Sequence, residues 1–142
     1  MPDKILLPVD LSEETSWAKP LKVAVEQIEA HGGELHVITV MPRYGMSMVG
    51  SYFPQDFEQK ALHDLGEALS NWVADNIPDK IEVHPHVMHG SVYDEILRAA
   101  DRLEVDLIVM GAHRPELRDY LLGPNAARVV RHANQSVYVV RG

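Results

Sequence analysis

The chain has 142 residues, enough for one hydrophobic core, and we expect a single domain over residues 1–142. Its net charge of −8 argues against general nucleic-acid binding, which depends on contacts from Lys and Arg to phosphates. The absence of cysteine excludes disulfides, thiolate metal sites and cysteine nucleophiles. No apolar run approaches the roughly 20 residues of a membrane-spanning helix, and the N-terminus does not resemble a signal peptide. These features favour a cytoplasmic globular protein.

Strands and helices alternate along the whole sequence. Short apolar or β-branched runs indicate the strands, and apolar residues at intervals of three and four indicate the helices. The predicted elements in chain order are strand 4–11, helix 17–28, strand 35–40, helix 57–72, strand 81–88, helix 91–103, strand 106–110, helix 125–133 and strand 136–140. This alternation predicts an α/β fold with a five-stranded parallel sheet, helices on both faces and right-handed crossovers.

Several residues between these elements have expected structural roles. Asp10 and Ser12 are candidate N-caps for the first helix, and Ser91 is the candidate N-cap of the third. The sequence His31-Gly32-Gly33 is expected to end the first helix. Pro85 interrupts the third strand and cannot donate a hydrogen bond to a neighbour, which places that strand at an edge of the sheet.

The segment between the fourth strand and the last helix indicates a ligand site. Gly111 ends the strand and Gly123 precedes the helix, so both would bring bare backbone N–H groups close to a helix N-terminus, where phosphate binds. Open parallel sheets bind ligands at the carboxyl ends of their strands, where the strand order reverses, and strands one and four usually flank that point. Pro8-Val9-Asp10 and Met110-Gly111 lie at those two ends, so we expect them to form one nucleotide site.

Three motifs resemble the universal stress protein family. They are Pro8-Val9-Asp10-x-Ser12 after the first strand, Gly-x-His-x followed by Leu-Leu-Gly-x-Asn between residues 111 and 125, and Val-Val-Arg-His-Ala-Asn-x-x-Val-x-Val-Val-Arg over residues 129–141. The resemblance covers the whole chain, and residues 108–141 resemble the bacterial F/G branch of that family. It implies the strand order 3-2-1-4-5, a homodimer and a role in stress adaptation. It also implies binding of ATP or another adenine nucleotide such as AMP or ADP, an ability that other members have lost.

The resemblance further implies roles for individual residues. Asp10 would contact the ribose or the adenine edge, and it could hold Mg²⁺ together with the phosphates. Gly111 and Gly123 match the family's phosphate-binding glycines, and His113 would lie near the phosphates. The remaining residues of the implied nucleotide site, with the adenine walls first, are Pro8, Val9, Val40, Met110, Arg114, Pro124 and Asn125.

Two of these positions depart from the family's pattern. Arg114 replaces a glycine, and its guanidinium could bind phosphate through two hydrogen bonds. Pro124 replaces a Ser or Thr and removes both a hydroxyl and an N–H group. Losing one such charge-assisted hydrogen bond costs roughly 1.5–3 kcal/mol, or about one to two decades of affinity. We therefore expect weaker nucleotide binding than in a Ser-bearing relative, while the helix itself tolerates proline at its first position.

The same residues also have purely structural alternatives. Asp10 could be only a cap, Gly111 only a tight turn, Gly123 only a place of close helix packing, and His113 only a surface histidine. Arginines concentrated in the final third could surround a phosphorylated ligand or simply occupy solvated helix faces. They are Arg98, Arg102, Arg114, Arg118, Arg128, Arg131 and Arg141.

Two other clusters invite a functional interpretation. His84, His86 and His89 include two residues on one strand face, but we expect no metal site in the protein alone because no carboxylate stands in a recognisable ligand pattern. The loop 41–55 carries three methionines that could cover the adenine or only pack. No Ser/His/Asp arrangement or Walker lysine is present, so we expect at most slow ATP hydrolysis or autophosphorylation.

The last strand, Ser136–Val140, is apolar and uncharged and is expected at an edge of the sheet. Such an edge is poorly protected against pairing with another chain, so we expect a homodimer formed through it. No nucleic-acid or membrane partner is expected. The alternative functions are an interaction protein that has lost nucleotide binding, which Pro124 favours, a slow ATPase or autophosphorylating protein, and a flavin module of similar architecture.

Overall fold

A computed structural model describes residues 4–42, 55–112 and 124–141. Its strands are β1 Lys4–Pro8, β2 Glu34–Pro42, β3 Glu82–Gly90, β4 Leu107–Gly111 and β5 Ser136–Val140, and its helices are α1 Ala18–His31, α2 Gln55–Asn76, α3 Val92–Arg102 and α4 Pro124–His132. The strands form one parallel sheet in the order β3-β2-β1-β4-β5. The expected α/β class, parallel pairing and strand order are confirmed. None of the helices in these residues is long and apolar enough to cross a membrane.

The sheet is covered on both faces, and each face has its own hydrophobic core. The core on the α1/α2 face contains Ile5, Leu7, Val9, Leu21, Ala24, Ile28, Leu35, Val37, Leu69, Trp72, Ile77, Ile81 and Val109. The core on the α3/α4 face contains Leu6, Ile38, Ile96, Ala99, Ala100, Val105, Ile108, Met110, Ala126 and Val129. Because successive side chains of a strand point to opposite faces, the neighbours Leu6 and Leu7 belong to different cores. Burial on both faces explains why β1 and β4 are continuously apolar in sequence.

One aromatic contact joins two helical segments on each face of the sheet. Trp17, just before α1, meets Trp72 of α2 edge to face, with ring centroids 5.1 Å apart and planes at 86°. The guanidinium of Arg128 in α4 lies 4.6 Å from the ring centroid of Tyr93 in α3. An aromatic pair adds about 0.5–1.5 kcal/mol beyond its buried area, and a cation–π contact adds a comparable amount. Each face of the sheet thus has a specific contact besides general apolar packing.

The connection from β1 to α1 differs from the expectation. A 3₁₀ turn covers Glu14–Ser16, and α1 begins only at Ala18. Trp17 occupies the N-cap position of α1, and it makes no side-chain capping bond. The expectation that Asp10 or Ser12 caps the first helix is therefore wrong. Both residues belong instead to a separate turn, which is also why β1 ends at residue 8 rather than residue 11.

Other boundary residues stand at the positions that the sequence predicts. Gly32 ends α1 with a φ of 77°, and its N–H donates to the carbonyl of Ile28 at 2.7 Å. Ser91 stands at the N-cap of α3 in an extended conformation, although its hydroxyl makes no capping bond. Pro85 lies in β3, which is at one edge of the sheet of described strands. Pro124 is the first residue of α4, where a missing N–H is tolerated.

Replacing either of two glycines by alanine should change the free energy of unfolding, in opposite directions. Gly90 has a φ of 152°, and a Cβ there would lie 2.9 Å from Oε2 of the buried Glu95. We expect Gly90→Ala to lower the free energy of unfolding by more than about 1 kcal/mol. Gly66 lies inside α2, where a Cβ would meet only Val87 at 3.9 Å, so Gly66→Ala should raise it by roughly 0.5–1 kcal/mol. Urea unfolding measures both values, and a stabilising Gly90→Ala would contradict this backbone geometry.

Candidate functional site

The strand order reverses between β1 and β4, which are neighbours in the sheet. Their register pairs Ile5 with Leu107 and Leu6 with Ile108. Because the two strands are parallel, their carboxyl ends reach the same edge of the sheet. Open α/β sheets bind ligands in the crevice outside such a point. The reversal of strand order expected from the sequence is therefore present between these two strands.

A hydrogen-bonded turn follows β1 and fixes the position of Asp10. Its Oδ1 accepts hydrogen bonds from the main-chain N–H of Ser12 at 3.0 Å and from the Ser12 hydroxyl at 2.6 Å. Its main-chain carbonyl accepts the N–H of Glu13 at 3.0 Å, and its own N–H donates to Oγ of Ser16 at 3.1 Å. This is the local side-chain turn that Asp favours. It holds an exposed carboxylate at the end of β1.

The end of β4 approaches this turn closely. A Cβ added at Gly111 would lie 3.3 Å from the main-chain oxygen of Ser16 and 3.5 Å from Cγ of Pro20. Glycine therefore permits the two backbones to come together. Ser16 also forms a hydrogen bond with Asp10, so the carboxyl ends of β1 and β4 lie next to each other although they are far apart in sequence. The same contact gives Gly111 a structural role, which the sequence left open as an alternative to phosphate binding.

The main-chain amide that follows Gly111 is already used. Ala112 is buried, and its N–H donates to the carbonyl of Val140 at 3.0 Å, which continues the pairing of β4 with β5. The sequence suggested that the strand end offers bare N–H groups to a phosphate. The N–H of Ala112 is not available for such a contact, because the parallel ladder extends one residue beyond the strand.

The residues implied as adenine walls lie on two different faces. Val40 and Met110 pack against the core on the α3/α4 face, and Pro8 is half-buried at the end of β1. The side chain of Val9 belongs to the core on the α1/α2 face. Val9 therefore does not line the same surface as Val40 and Met110.

The implied phosphate-binding residues are only partly within the described structure. His113, Arg114 and Gly123 lie outside the described residues, as do residues 43–54 of the predicted loop 41–55. The remaining loop positions differ from the expectation, because residues 41 and 42 belong to β2 and residue 55 to α2. Pro124 begins α4, and Asn125 follows it in a half-buried position. Asn125 therefore stands in the first turn of a helix whose N-terminus carries partial positive charge.

Three of the C-terminal arginines have contacts of their own on α3 and α4. Nη1 of Arg98 is 2.8 Å from Oε2 of Glu95, and Nη2 of Arg102 is 3.5 Å from the sulfur of Met88. Arg128 stacks on Tyr93 as described above. These contacts favour the structural alternative for these three arginines.

An open groove of about 740 Å³ lies between α2 and β3 rather than at the reversal point. Its lining residues are Leu62, His63, Gly66, Glu67, Leu69, Ser70, Asn71, Pro85 and Val87. None of them belongs to β1 or β4. The groove is therefore separate from the site that the sequence predicts.

The sequence matches known proteins along nearly its whole length. The universal stress protein family matches residues 1–141. The chain belongs to this family. Its relatives include universal stress protein G of Shigella flexneri, which is 35% identical over 140 residues that cover 96% of this chain and 97% of the relative. The resemblance of the sequence motifs is thus confirmed at the level of the family.

Solved structures of universal stress proteins share this fold. The protein UspA from Lactobacillus plantarum has a TM-score of 0.71 at 25% identity, covering 97% of both chains. A protein from Archaeoglobus fulgidus in complex with dAMP has a TM-score of 0.64 at 21% identity, covering 97% of both chains. A universal stress protein in complex with cAMP has a TM-score of 0.65 at 20% identity, covering 99% of this chain and 97% of its own. At such identities these two complexes establish only a shared fold.

Proposed function

We propose that this universal stress protein binds ATP or another adenine nucleotide at the carboxyl ends of β1 and β4. It would act as a dimeric, cytoplasmic stress-response module that holds the nucleotide rather than consuming it rapidly. The observation that carries the proposal is the contact of Gly111 with the Ser16–Asp10 turn, because it brings two motif-bearing segments to one place. The dAMP and cAMP complexes of proteins with the same fold support adenine as the base.

The described residues of this region fit such a ligand. The Asp10 carboxylate is exposed and oriented by Ser12, so it could accept a hydrogen bond from a ribose hydroxyl or hold Mg²⁺ with the phosphates. Asn125 stands at the start of α4, where the helix N-terminus attracts anions. We assign the phosphates to this terminus and to the preceding residues His113, Arg114 and Gly123, as the family motifs imply.

A first prediction concerns Asp10. Millimolar ATP should raise the melting temperature of the wild-type protein, and Asp10→Ala should weaken ATP binding about tenfold because one hydrogen bond to the ligand is lost. Isothermal titration calorimetry measures the dissociation constant directly. Ser12→Ala controls for loosening of the turn, and Asp75→Ala controls for loss of an exposed carboxylate elsewhere. The melting temperature is measured at 10 mM ATP, which is ~100 times the dissociation constant that we expect. If the melting temperature of the wild-type protein does not change, the result favours an interaction protein that does not bind nucleotide.

A second prediction concerns the first residue of α4. Pro124→Ser restores a hydroxyl and an N–H at the helix N-terminus, so it should tighten ATP binding about tenfold. Pro78→Ser, at an exposed proline between α2 and β3, is the matched control and should leave the affinity unchanged. Equal dissociation constants for Pro124→Ser and wild-type protein would place the phosphates away from this residue.

A third prediction concerns assembly through β5. This strand is at an edge of the described sheet, and Tyr138 on it is 45% exposed although large and apolar. We expect wild-type protein to have twice the 15.9 kDa mass of one chain in solution. Tyr138→Glu should yield monomers, because two-fold pairing brings like charges together, whereas Ala74→Glu on the exposed face of α2 should not. Light scattering after size exclusion gives the masses, and a dimer that survives Tyr138→Glu would exclude this edge.

A further inference from the structure

A second polar cluster occupies the opposite end of the sheet from the proposed nucleotide site. It lies at the amino ends of β2 and β3, where the register pairs Glu34 with Glu82 and His36 with His84. Residues two apart on a strand share a face, so all four side chains lie on the α3/α4 face of the sheet. His89, the last histidine of the β3 sequence cluster, pairs instead with Glu58 of α2 at 2.9 Å.

The two carboxylates of this cluster stand directly opposite each other. Like charges in register across two strands destabilise a sheet unless another group compensates them. Nε2 of His84 lies 2.7 Å from Oε2 of Glu82 and 3.8 Å from Oε2 of Glu34. The paired carboxylates therefore make a place that favours positive charge.

The geometry of this cluster suits a single metal ion. One ligand atom each from Glu34, Glu82 and His84 lies within 4.8 Å of the other two. Ligands at tetrahedral Zn²⁺ are separated by about 3.4 Å, given metal–ligand distances near 2.1 Å. Binding would therefore open the His84–Glu82 pair, now 2.7 Å apart, and draw the 3.8 Å His84–Glu34 pair slightly closer. The side chains are 27%, 61% and 43% exposed respectively, which leaves an entry path and room for a water ligand.

A buried histidine supports one of these donors from behind. The side chain of His36 is only 7% exposed, and its Nε2 donates to Oε1 of Glu34 at 2.8 Å. Its Nδ1 is 3.0 Å from Nε2 of His86, so in neutral His36 this nitrogen accepts the Nε2–H of His86. Hydrogen bonds of this kind orient metal-ligating carboxylates in proteins.

We propose that Glu34, Glu82 and His84 bind one divalent transition-metal ion, with water in the remaining position. Two carboxylates and one imidazole without a thiolate suit Zn²⁺, and Co²⁺ serves as its spectroscopic substitute. To bind the ion, His84 would take the neutral tautomer that carries its proton on Nδ1, and it would coordinate through the lone pair of Nε2 in place of its contact with Glu82. The ion would then hold the start of the edge strand β3 to β2. This site is independent of the nucleotide.

The test is metal titration of the full chain after removal of any affinity tag. We expect one Zn²⁺ per chain by calorimetry, and a visible Co²⁺ absorption that Zn²⁺ displaces. His84→Ala and Glu82→Gln should each weaken the affinity at least tenfold, and both change exposed side chains outside the two hydrophobic cores. His36→Gln should weaken it about 10–100-fold through the orientation of Glu34.

The matched control is His63→Ala, because His63 forms another exposed pair with Glu67 at 3.3 Å on α2. This variant should bind Zn²⁺ as tightly as wild-type protein. Zn²⁺ should also raise the melting temperature of wild-type and His63→Ala protein but not of Glu82→Gln. The proposal is overturned if wild-type protein binds no ion, which would leave a network of ion pairs only. It is equally overturned if His63→Ala weakens binding as much as His84→Ala does.

Discussion

Burial of β1 and β4 on both faces is the constraint on which the rest of the structure depends. Two adjacent parallel strands that are apolar on both sides require helices above and below them, and the chain must therefore leave β1 and β4 in opposite directions. That requirement places the reversal of strand order at their carboxyl ends. The crevice proposed for the nucleotide is thus a consequence of how the core is covered.

The approach of Gly111 to Ser16 shows how packing and ligand binding depend on the same atoms. A side chain at Gly111 would push β4 away from the turn that orients Asp10. Glycine therefore suits both the close packing of the fold and the proposed site, and the two roles are not alternatives. Pro124 illustrates the reverse relation, since it suits the first position of α4 while removing groups that could contact phosphate.

The two ends of the sheet have different chemistry. At the carboxyl ends, an oriented carboxylate and a helix N-terminus suit a ligand with hydroxyls and phosphates. At the amino ends of β2 and β3, paired carboxylates backed by imidazoles suit a cation. Parallel pairing makes this separation natural, because each strand brings its first residues to one edge and its last residues to the other.

The sequence by itself determined the family, the α/β class, the order of elements and the edge position of β3, because apolar periodicity, Pro85 and local motifs are properties of adjacent residues. Only the tertiary structure decided how Asp10 is held, since Ser16 carries no signal of its own, and that Ala112 is bonded in the ladder. It also decided that Glu34 stands beside Glu82 and His84, because the register of two strands separated by a whole helix follows from packing and not from spacing.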